Sequence, residues 1–329
     1  MGEKPIVIAA FRDKRPGHRK QTDGVLAALS ALTATEVHGF ELPPPGPGVT
    51  ARDLSRLMLA LAGLPVATGP EAPDVPPRFD LVIGAGSRAH VPMILFQRRR
   101  GGRLVTCMTP DALVAGFFDL CLVPAHDRPR PRKNIFVTFG PPNTSRKDGP
   151  HDPARGLLLV GGADEKSHAW DSAATLARME AILDAEQGVA WTISSSPRTP
   201  PDMLPLLERL AAAHHGARFF RSADTPPGWV EERYSESGTA WITADSVSMI
   251  YEALTAGCRV GVFPVEWKRP DGKFALGLSI LHQKGMIRFF DEWKAAPGDW
   301  TQPPPLDEAG RCAREILERF FPERISGGS

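Results

Sequence analysis

The sequence has few cysteines and almost no net charge. Its four cysteines, in 329 residues, stand at positions 107, 121, 258 and 312 and form no CxxC pair, which excludes a zinc knuckle and a disulfide framework. Because these thiols are isolated among apolar neighbours, we expect small buried side chains in a reducing compartment. Lys and Arg number 39 and Asp and Glu 38, so no global field favours nucleic acid or an anionic membrane surface. Recognition of a polyanion must therefore be local.

Long hydrophobic runs are also missing. The longest apolar stretch, residues 57–67, has 11 residues, whereas a membrane span needs about 20. The N-terminal sequence MGEKPIVIAAF has too short an apolar run for a signal peptide, and a strand is the better interpretation. We therefore expect a cytoplasmic protein with no transmembrane segment, whose contact with a membrane would at most be peripheral.

What the sequence does contain is a regular alternation of short apolar runs and longer amphipathic stretches. At about 150 residues per domain, its length suggests two domains. In the first half, strands are predicted at 6–10, 36–40, 80–83, 104–108 and 120–123, and helices at 21–32, 51–62 and 90–99. This order predicts a parallel sheet that is covered by helices on both faces.

A second alternating series follows a polar, basic and proline-rich segment, residues 127–153, which we interpret as the approach to an inter-domain linker. Strands are predicted at 156–160, 190–193, 218–220, 239–242 and 260–263, and helices at 169–184, 203–213, 248–256 and 306–321. The predicted fold class is therefore α/β, with two Rossmann-like, doubly wound parallel-sheet domains in tandem. The domain ranges are 1–150 and 151–305.

Open parallel sheets bind ligands at the carboxyl ends of their strands, so the loops that follow strands are the candidate sites. The first is the nine-residue loop 13–21, which is longer than the two to six residues that a strand-to-helix turn needs. It could hold a phosphate or a carboxylate, with His18 as a base or hydrogen-bond donor, or it could be a solvated basic loop around the Pro16-Gly17 turn. The candidate residues are Asp13, Arg15, Gly17, His18 and Gln21.

Three further loops that follow strands are rich in glycine or serine. Gly86 and Ser87 follow a buried strand, and Gly162 follows the run LLLV; glycines there allow a ligand to approach the backbone, or they simply make tight turns. A third loop could hold phosphate oxygens, or it could cap the helix that begins near Met203. Its candidate residues are Ser194, Ser195, Ser196 and Arg198.

The segment 241–264 is the fifth candidate site and has the most specific pattern. A strand leads into a polar turn, a helix that carries Glu252, a glycine and another strand. A carboxylate at Glu252 can bind the two vicinal hydroxyls of a ribose while the start of the helix binds phosphate. The alternative is a capping box, whose spacing is one residue off because Ser248 precedes Glu252 by four. The candidate residues are Asp245, Ser246, Ser248, Met249 and Glu252.

These motifs resemble a known family. Segment 241–264 is similar to the nucleotide-sugar-binding segment of GT-B glycosyltransferases, and the loop 13–21 together with 243–253 resembles the Elm-type mitochondrial fission protein family. The resemblance implies a GT-B-like pair of domains that face a cleft. The C-terminal domain would bind a nucleoside-diphosphate sugar as donor, and the N-terminal domain, with helix 306–321 packed on it, would face an unidentified acceptor.

The resemblance also implies chemistry without a metal or a cofactor, in which helix starts and cations stabilise the leaving diphosphate. A base near the acceptor would be His18 or Asp13. We therefore expect a metal-independent glycosyltransferase; the alternative is a catalytically inactive GT-B-like binding or scaffold protein. An epimerase of the short-chain dehydrogenase kind is rejected because Tyr251 has Thr255 where a YxxxK pair needs lysine. Asp13, Asp164 and Asp245 are dispersed, which disfavours a metal-dependent hydrolase.

Overall fold

The structure, a computed structural model, describes residues 4–42, 50–64, 75–298, 300–301 and 303–325. It divides into two compact units. The first comprises the described residues up to Thr144 together with those from Asp307 onward, and the second runs from Ser145 to Leu306. Residues 65–67 of the apolar stretch 57–67 lie outside the described residues. No helix among the described residues is long and apolar enough to cross a membrane.

The first unit is built on a six-stranded sheet in the order β2-β1-β3-β4-β5-β6, and every neighbouring pair is parallel. The strands are β1 (Ile6–Arg12), β2 (Thr35–Glu41), β3 (Leu81–Ala85), β4 (Arg103–Cys107), β5 (Leu120–Pro124) and β6 (Ile135–Thr138). Its two faces carry separate apolar clusters, one around Phe11, Phe40 and Phe96 and the other around Ile8, Leu29 and Ile83. Burial on both faces explains the almost continuous apolar runs of the inner strands β1, β3, β4 and β5.

The helices of this unit are α1 (Pro16–Leu32), α2 (Ala51–Leu61) and α3 (Ser87–Arg100). Helix α1 begins five residues before the predicted start at Gln21, so the loop after β1 is only Asp13–Arg15. The prediction of a nine-residue loop, with Pro16-Gly17 as a turn, was therefore wrong. The physical reason is that proline is favoured at the first helical position, where its missing N–H and fixed φ cost nothing.

Strand β6 lies inside the segment that was interpreted as a linker, residues 127–153. It pairs with β5 through Cys121–Ile135, Leu122–Phe136, Val123–Val137 and Pro124–Thr138. The amide of Asn134 donates to the carbonyl oxygens of Ala115 (3.3 Å) and Phe118 (3.0 Å), which fixes the start of this strand. Four residues beside prolines and arginines are too short a run to show a strand period, which is why the pattern missed it.

The second unit has its own six-stranded parallel sheet, in the order β10-β9-β7-β11-β12-β14. Its strands are β7 (Asp152–Leu159), β8 (His168–Ala169), β9 (Ala190–Ser194), β10 (Ala217–Phe220), β11 (Ser237–Thr243), β12 (Arg259–Phe263), β13 (Glu266–Trp267) and β14 (Ile287–Phe289). The short strands β8 and β13 form a separate antiparallel pair. The predicted α/β class with two parallel doubly wound sheets is confirmed.

The helices of the second unit are α4 (Ser172–Ala185), α5 (Leu204–Ala213), α6 (Trp229–Glu236), α7 (Val247–Ala256), α8 (Lys273–Gln283) and α9 (Phe290–Ala295). Three of them, α6, α8 and α9, were not predicted. Helix α6 packs Tyr234 into the core although its other residues are mostly charged, and α9 has only six residues. Helices α6 and α9 offer too few apolar positions for a helical period to stand out.

The last helix, α10 (Glu308–Phe320), belongs to the first unit, where Cys312, Ala313 and Ile316 join the same apolar cluster as the helix α1 residues Val25 and Leu29. The carboxylate of Glu308 is buried. It accepts a hydrogen bond from the backbone N–H of Phe139 at 2.9 Å and from Nη1 of Arg311 at 2.8 Å. Burial raises the pKa of Glu308, and the Arg311 bond partly opposes that shift.

Candidate functional site

The carboxyl ends of β7, β9 and β11 lie side by side in the second unit. Strand β7 is paired with β9 on one side and with β11 on the other. The backbone N–H of Gly161 donates to Oγ1 of Thr243 at 2.8 Å, which ties the end of β7 to that of β11. The hydroxyls of Ser196 and Thr199 both donate to the carbonyl oxygen of Gly161, at 2.8 and 2.6 Å. Three strand ends therefore form one hydrogen-bonded cluster.

Two glycines make this close approach possible. A Cβ atom on Gly161 would lie 2.1 Å from Oδ2 of Asp245, and one on Gly162 would lie 1.8 Å from the carbonyl oxygen of Arg198. The first contact is with the Asp245 side chain, whereas the second is with backbone, so no side-chain rotation can relieve it. Glycine is required here for packing between loops, since neither residue has a positive φ.

Asp245 and Arg198 form an ion pair at this cluster. Nη2 of Arg198 donates to Oδ2 of Asp245 at 2.7 Å and to Oγ of Ser246 at 3.3 Å. The same carboxylate oxygen accepts the N–H of Gly162 at 3.1 Å. The side chain of Asp245 is 1% exposed, whereas that of Arg198 is 45% exposed. The ion pair therefore fixes one edge of the guanidinium, while nearly half of the Arg198 side chain stays exposed.

The three serines predicted to bind phosphate are all buried. Oγ of Ser194 donates to the carbonyl oxygen of Ser195 at 3.2 Å, and Oγ of Ser195 accepts the N–H of Ser222 at 3.0 Å. Oγ of Ser196 accepts the N–H of Arg198 at 3.2 Å in addition to its bond to Gly161. These hydroxyls shape the loop after β9, and the loop presents the Arg198 side chain.

Helix α7 starts directly at the cluster. Ser246 is its N-cap residue, but its side chain accepts no capping hydrogen bond from the helix. Its hydroxyl instead donates to Oδ2 of Asp245 at 3.2 Å and accepts from Nη2 of Arg198 at 3.3 Å. The helix begins one residue before the predicted start, so Ser248 is exposed within the first turn and Met249 follows it, half-buried. The amides of this first turn therefore lack a side-chain cap from Ser246, as at helix starts that bind anions.

Glu252 is the sixth residue of α7 and is 6% exposed. It lies near Tyr234, whose hydroxyl donates to the carbonyl oxygen of Met249 at 3.3 Å. Burial raises the pKa of Tyr234 well above its usual value, and the charge of Glu252 adds to that shift. Glu252 is thus a nearly buried carboxyl group one and a half turns from the strand-end cluster.

His168 is a member of the cluster that the sequence did not single out. Nε2 of its buried ring lies 3.0 Å from the carbonyl oxygen of Gly162, and Nδ1 lies 2.8 Å from Oγ of Ser167. Trp267 packs edge-on against this ring where β8 and β13 pair, with 5.9 Å between the two ring centroids. A lone histidine between two loops carries no spacing signal, so only the fold could reveal it.

In the first unit, the carboxyl ends of the adjacent strands β1 and β3 bring together Asp13, His18 and Gly86. Oδ2 of Asp13 lies 2.8 Å from Nδ1 of His18, and Oδ1 accepts the N–H of Arg15 at 2.9 Å. Asp13 is buried and the His18 side chain is 15% exposed. A Cβ atom on Gly86, which has φ +90°, would lie 2.4 Å from Nδ1 of His18. The histidine ring therefore stacks over a glycine.

The remaining first-unit candidates surround this pair. Arg15 is the N-cap residue of α1, Gly17 is exposed, and Ser87 is the first residue of α3. Gln21 is buried one turn beyond His18, and its Oε1 accepts no hydrogen bond from any described residue. A Cβ atom on Gly17 would have no described atom within 4 Å, so this glycine, unlike Gly86, is not required by packing.

A second histidine near this site, His90, was not predicted. It is fully buried, with Nε2 3.3 Å from Oγ1 of Thr106 and Nδ1 3.4 Å from a carboxylate oxygen of Asp111. Burial lowers the pKa of His90 and outweighs the Asp111 carboxylate, which raises it, while the nearby His18 lowers it further. Its neutral form is therefore favoured.

The predicted residues thus form two groups, one in each unit. The first-unit group comprises Asp13, Arg15, Gly17, His18, Gln21, Gly86 and Ser87. The second-unit group comprises Gly162, Ser194, Ser195, Ser196, Arg198, Asp245, Ser246, Ser248, Met249 and Glu252. Within the described parts of the chain, no set of three or more His, Cys, Asp or Glu side chains is arranged to hold a metal ion.

Comparison with known proteins places the chain in a family. The family model described as mitochondrial fission ELM1 matches residues 16–320, which confirms the resemblance found in the sequence. No curated protein sequence matches the chain.

Solved structures share the fold at low sequence identity. A Listeria monocytogenes protein, assigned provisionally as a UDP-N-acetylglucosamine 2-epimerase, has a TM-score of 0.58 and 14% identity, with 95% of each chain covered. The Neisseria meningitidis UDP-GlcNAc 2-epimerase bound to UDP-GlcNAc has a TM-score of 0.54 and 11% identity, covering 95% of this chain and 98% of that one. The glycotransferase of kitacinnamycin has a TM-score of 0.51 and 13% identity, covering 98% and 96%. The predicted GT-B-like fold is confirmed.

Proposed function

The chain belongs to the mitochondrial fission ELM1 family, and from that premise we propose that it binds a nucleoside-diphosphate sugar and transfers the sugar to an acceptor without a metal ion. The observation that carries the proposal is the strand-end cluster of the second unit. There the uncapped start of α7, the exposed part of Arg198 and the backbone of Gly162 come together.

The donor would be held by this cluster. The first-turn amides of α7 and the Arg198 guanidinium supply hydrogen bonds and positive charge for a diphosphate. They would stabilise the diphosphate more strongly as negative charge develops on it during transfer. Glu252 would bind the two ribose hydroxyls and would take no part in bond making. The chain's fold neighbours support this choice of ligand, because one of them is a UDP-GlcNAc complex and another is a glycotransferase.

The acceptor would be activated in the first unit. The Asp13 carboxylate, 2.8 Å from Nδ1 of His18, favours the tautomer that carries its proton on that nitrogen. Nε2 is then the proton acceptor for an acceptor hydroxyl, and Asp13 stabilises the imidazolium that results. Gly86 lets the ring lie against the backbone, which fixes its orientation.

A second candidate function is binding without transfer, as in a scaffold protein. One observation favours it: the hydroxyls of Ser194, Ser195 and Ser196 are all bonded within the protein, which leaves Arg198 as the main polar side chain that the β9 loop offers to a ligand. Such a loop can hold a ligand, but it offers few side-chain donors to stabilise the charge that develops during transfer.

The experiment that separates the two incubates the purified protein with UDP-, GDP-, ADP-, CDP- and dTDP-sugars in EDTA and measures release of the nucleoside diphosphate. With no acceptor added, water takes its place, so an active transferase should slowly hydrolyse the donors of one base family and release the nucleoside diphosphate, and His18→Gln should lose this release. Binding of a donor without release from any of them would overturn transfer and leave the scaffold function. Release that needs an added divalent cation would contradict the metal-independent mechanism.

A further inference from the structure

Asp245 was a predicted ligand contact, but its oxygens are already engaged or enclosed. Oδ2 accepts three hydrogen bonds, from Gly162, Arg198 and Ser246. Oδ1 is buried with no hydrogen-bond partner among the described residues. It faces Gly161, where a Cβ atom would lie 2.5 Å from it. Neither oxygen is open to a ligand, and a carboxylate would also repel a diphosphate.

Arg198 has the complementary arrangement. Within the segments that end β7, β9 and β11 (161–164, 194–199 and 243–248), it is the one cationic residue. Its bonds to Asp245 and Ser246 both come from Nη2, and 45% of the side chain is exposed in the part of the chain that the structure describes. A guanidinium has five donors in a rigid fork, so fixing one edge aims the other edge.

We propose that Asp245 is a positioning residue, which contacts no ligand and instead holds the Arg198 guanidinium in the orientation in which it receives a diphosphate. The proposal rests on the proposed function of this site. The Asp245 bond restricts the rotamers of a long side chain before the ligand arrives, so that less conformational entropy is lost on binding. The bond from Gly162 to the same oxygen couples this orientation to the end of β7.

The chain offers a matched control in the same unit. Arg221 and Glu208 form an ion pair with an Nη2–Oε1 distance of 2.6 Å, on the loop after β10 and on α5. Both side chains are about half-exposed, as Arg198 is, but their pair lies outside the three strand-end segments. Glu208→Gln therefore removes a similar ion pair without touching the strand-end cluster.

A ligand-free measurement tests the positioning itself. The rate at which phenylglyoxal modifies each arginine of the full chain is followed by mass spectrometry. Asp245→Asn should raise the rate at Arg198 severalfold and leave the rate at Arg221 unchanged, and Glu208→Gln should do the reverse. An unchanged rate at Arg198 in folded Asp245→Asn would overturn the proposal, whatever the protein binds.

Calorimetric titration with UDP, ADP and inorganic pyrophosphate then tests the consequence. Arg198→Ala and Asp245→Asn should each weaken binding about tenfold, the loss expected for a charge-assisted hydrogen bond. In the double variant, the second substitution should weaken binding by less than a further twofold, because both substitutions act through the same guanidinium. Additive losses, or tighter binding in Asp245→Asn, would overturn the proposal. If the wild type binds none of the probes, the proposed function fails, and the modification rates alone decide the role of Asp245.

A second variant covers the case in which Asp245→Asn does not fold. Arg198→Lys keeps the charge, but it replaces the rigid fork of the guanidinium with a compact ammonium on a flexible stem, which a bond to Asp245 cannot aim in the same way. It should bind the probes as weakly as Arg198→Ala, within twofold. Wild-type affinity in Arg198→Lys would contradict the requirement for an aimed guanidinium.

Discussion

The carbonyl oxygen of Arg198 occupies the space in which a side chain on Gly162 would begin, at 1.8 Å from a Cβ atom there. This contact joins the end of β7 to the loop after β9. The carbonyl oxygen of Gly162 also lies 3.0 Å from Nε2 of His168. Gly162 therefore contacts both neighbouring loops, and its lack of a side chain determines how closely the β9 loop approaches.

Gly162→Ala should disrupt the second-unit cluster. The backbone of Arg198 must move to admit the methyl group, at a cost of about 1–3 kcal/mol, which is typical of overpacking. We expect a lower thermal midpoint and loss of any nucleotide response. Gly188→Ala is the control, since a Cβ atom at Gly188 has nothing within 4 Å. Equal midpoints for the two variants would refute the close approach.

Glu252→Gln should weaken nucleotide binding while the fold persists. An amide in the same place accepts hydrogen bonds from ribose hydroxyls less strongly than a carboxylate does, and we expect about a tenfold loss of affinity by calorimetry. Glu180→Gln, on an exposed position of α4, serves as the control. Inorganic pyrophosphate should bind both variants as it binds the wild type. If Glu252→Gln binds the nucleotide as tightly as Glu180→Gln does, the ribose role of Glu252 is wrong.

Asp13→Asn should reduce turnover and leave donor affinity unchanged. The neutral amide no longer stabilises the imidazolium of His18 or favours the tautomer with the proton on Nδ1, and general-base catalysis typically contributes about 100- to 10,000-fold. Steady-state kinetics with varied donor should show the loss in kcat. A loss confined to KM for the donor would assign the Asp13–His18 pair to donor binding instead.

His90 should make the first unit less stable in acid. Its pKa in the folded protein is lowered, chiefly by burial, from the usual value near 6.5. Between that value and the folded pKa, the unfolded chain binds a proton that the folded chain does not, so stability present above pH 6.5 is lost as the pH falls. Thermal midpoints from pH 8 to pH 5 should therefore fall more steeply for the wild type than for His90→Gln. Parallel curves would show that His90 does not titrate between the two states.

The sequence predicted the framework because the inner strands of the two sheets are buried on both faces and read as short apolar runs, as in Leu81–Ala85 and Arg259–Phe263. It placed Gly162, Arg198 and Asp245 after strands that prove to be neighbours, since parallel strands end at one edge. It could not predict which oxygen of Asp245 is engaged or that Gly162 contacts the Arg198 backbone. Those relationships arise between loops that are far apart in the chain.

Other features were hidden for local reasons. Strand β6 has four residues, and the start of α1 was obscured because Pro16-Gly17 is equally typical of a turn. His90 and His168 are single histidines whose partners, Thr106, Asp111 and Gly162, become neighbours only in the fold. Neither carries a motif that sequence spacing could reveal.

The central claim is that the second unit binds a nucleoside diphosphate, and a thermal-shift titration tests it most directly. The full chain is heated with UDP, GDP, ADP, CDP and dTDP and their sugar conjugates, in EDTA, for the wild type, Glu252→Gln and Glu180→Gln. A ligand at 100 times its Kd should stabilise the folded state by about 2.7 kcal/mol. We expect one base family to raise the midpoint of the wild type and Glu180→Gln, and to do so much less for Glu252→Gln. No shift with any nucleotide at millimolar concentration would contradict the claim.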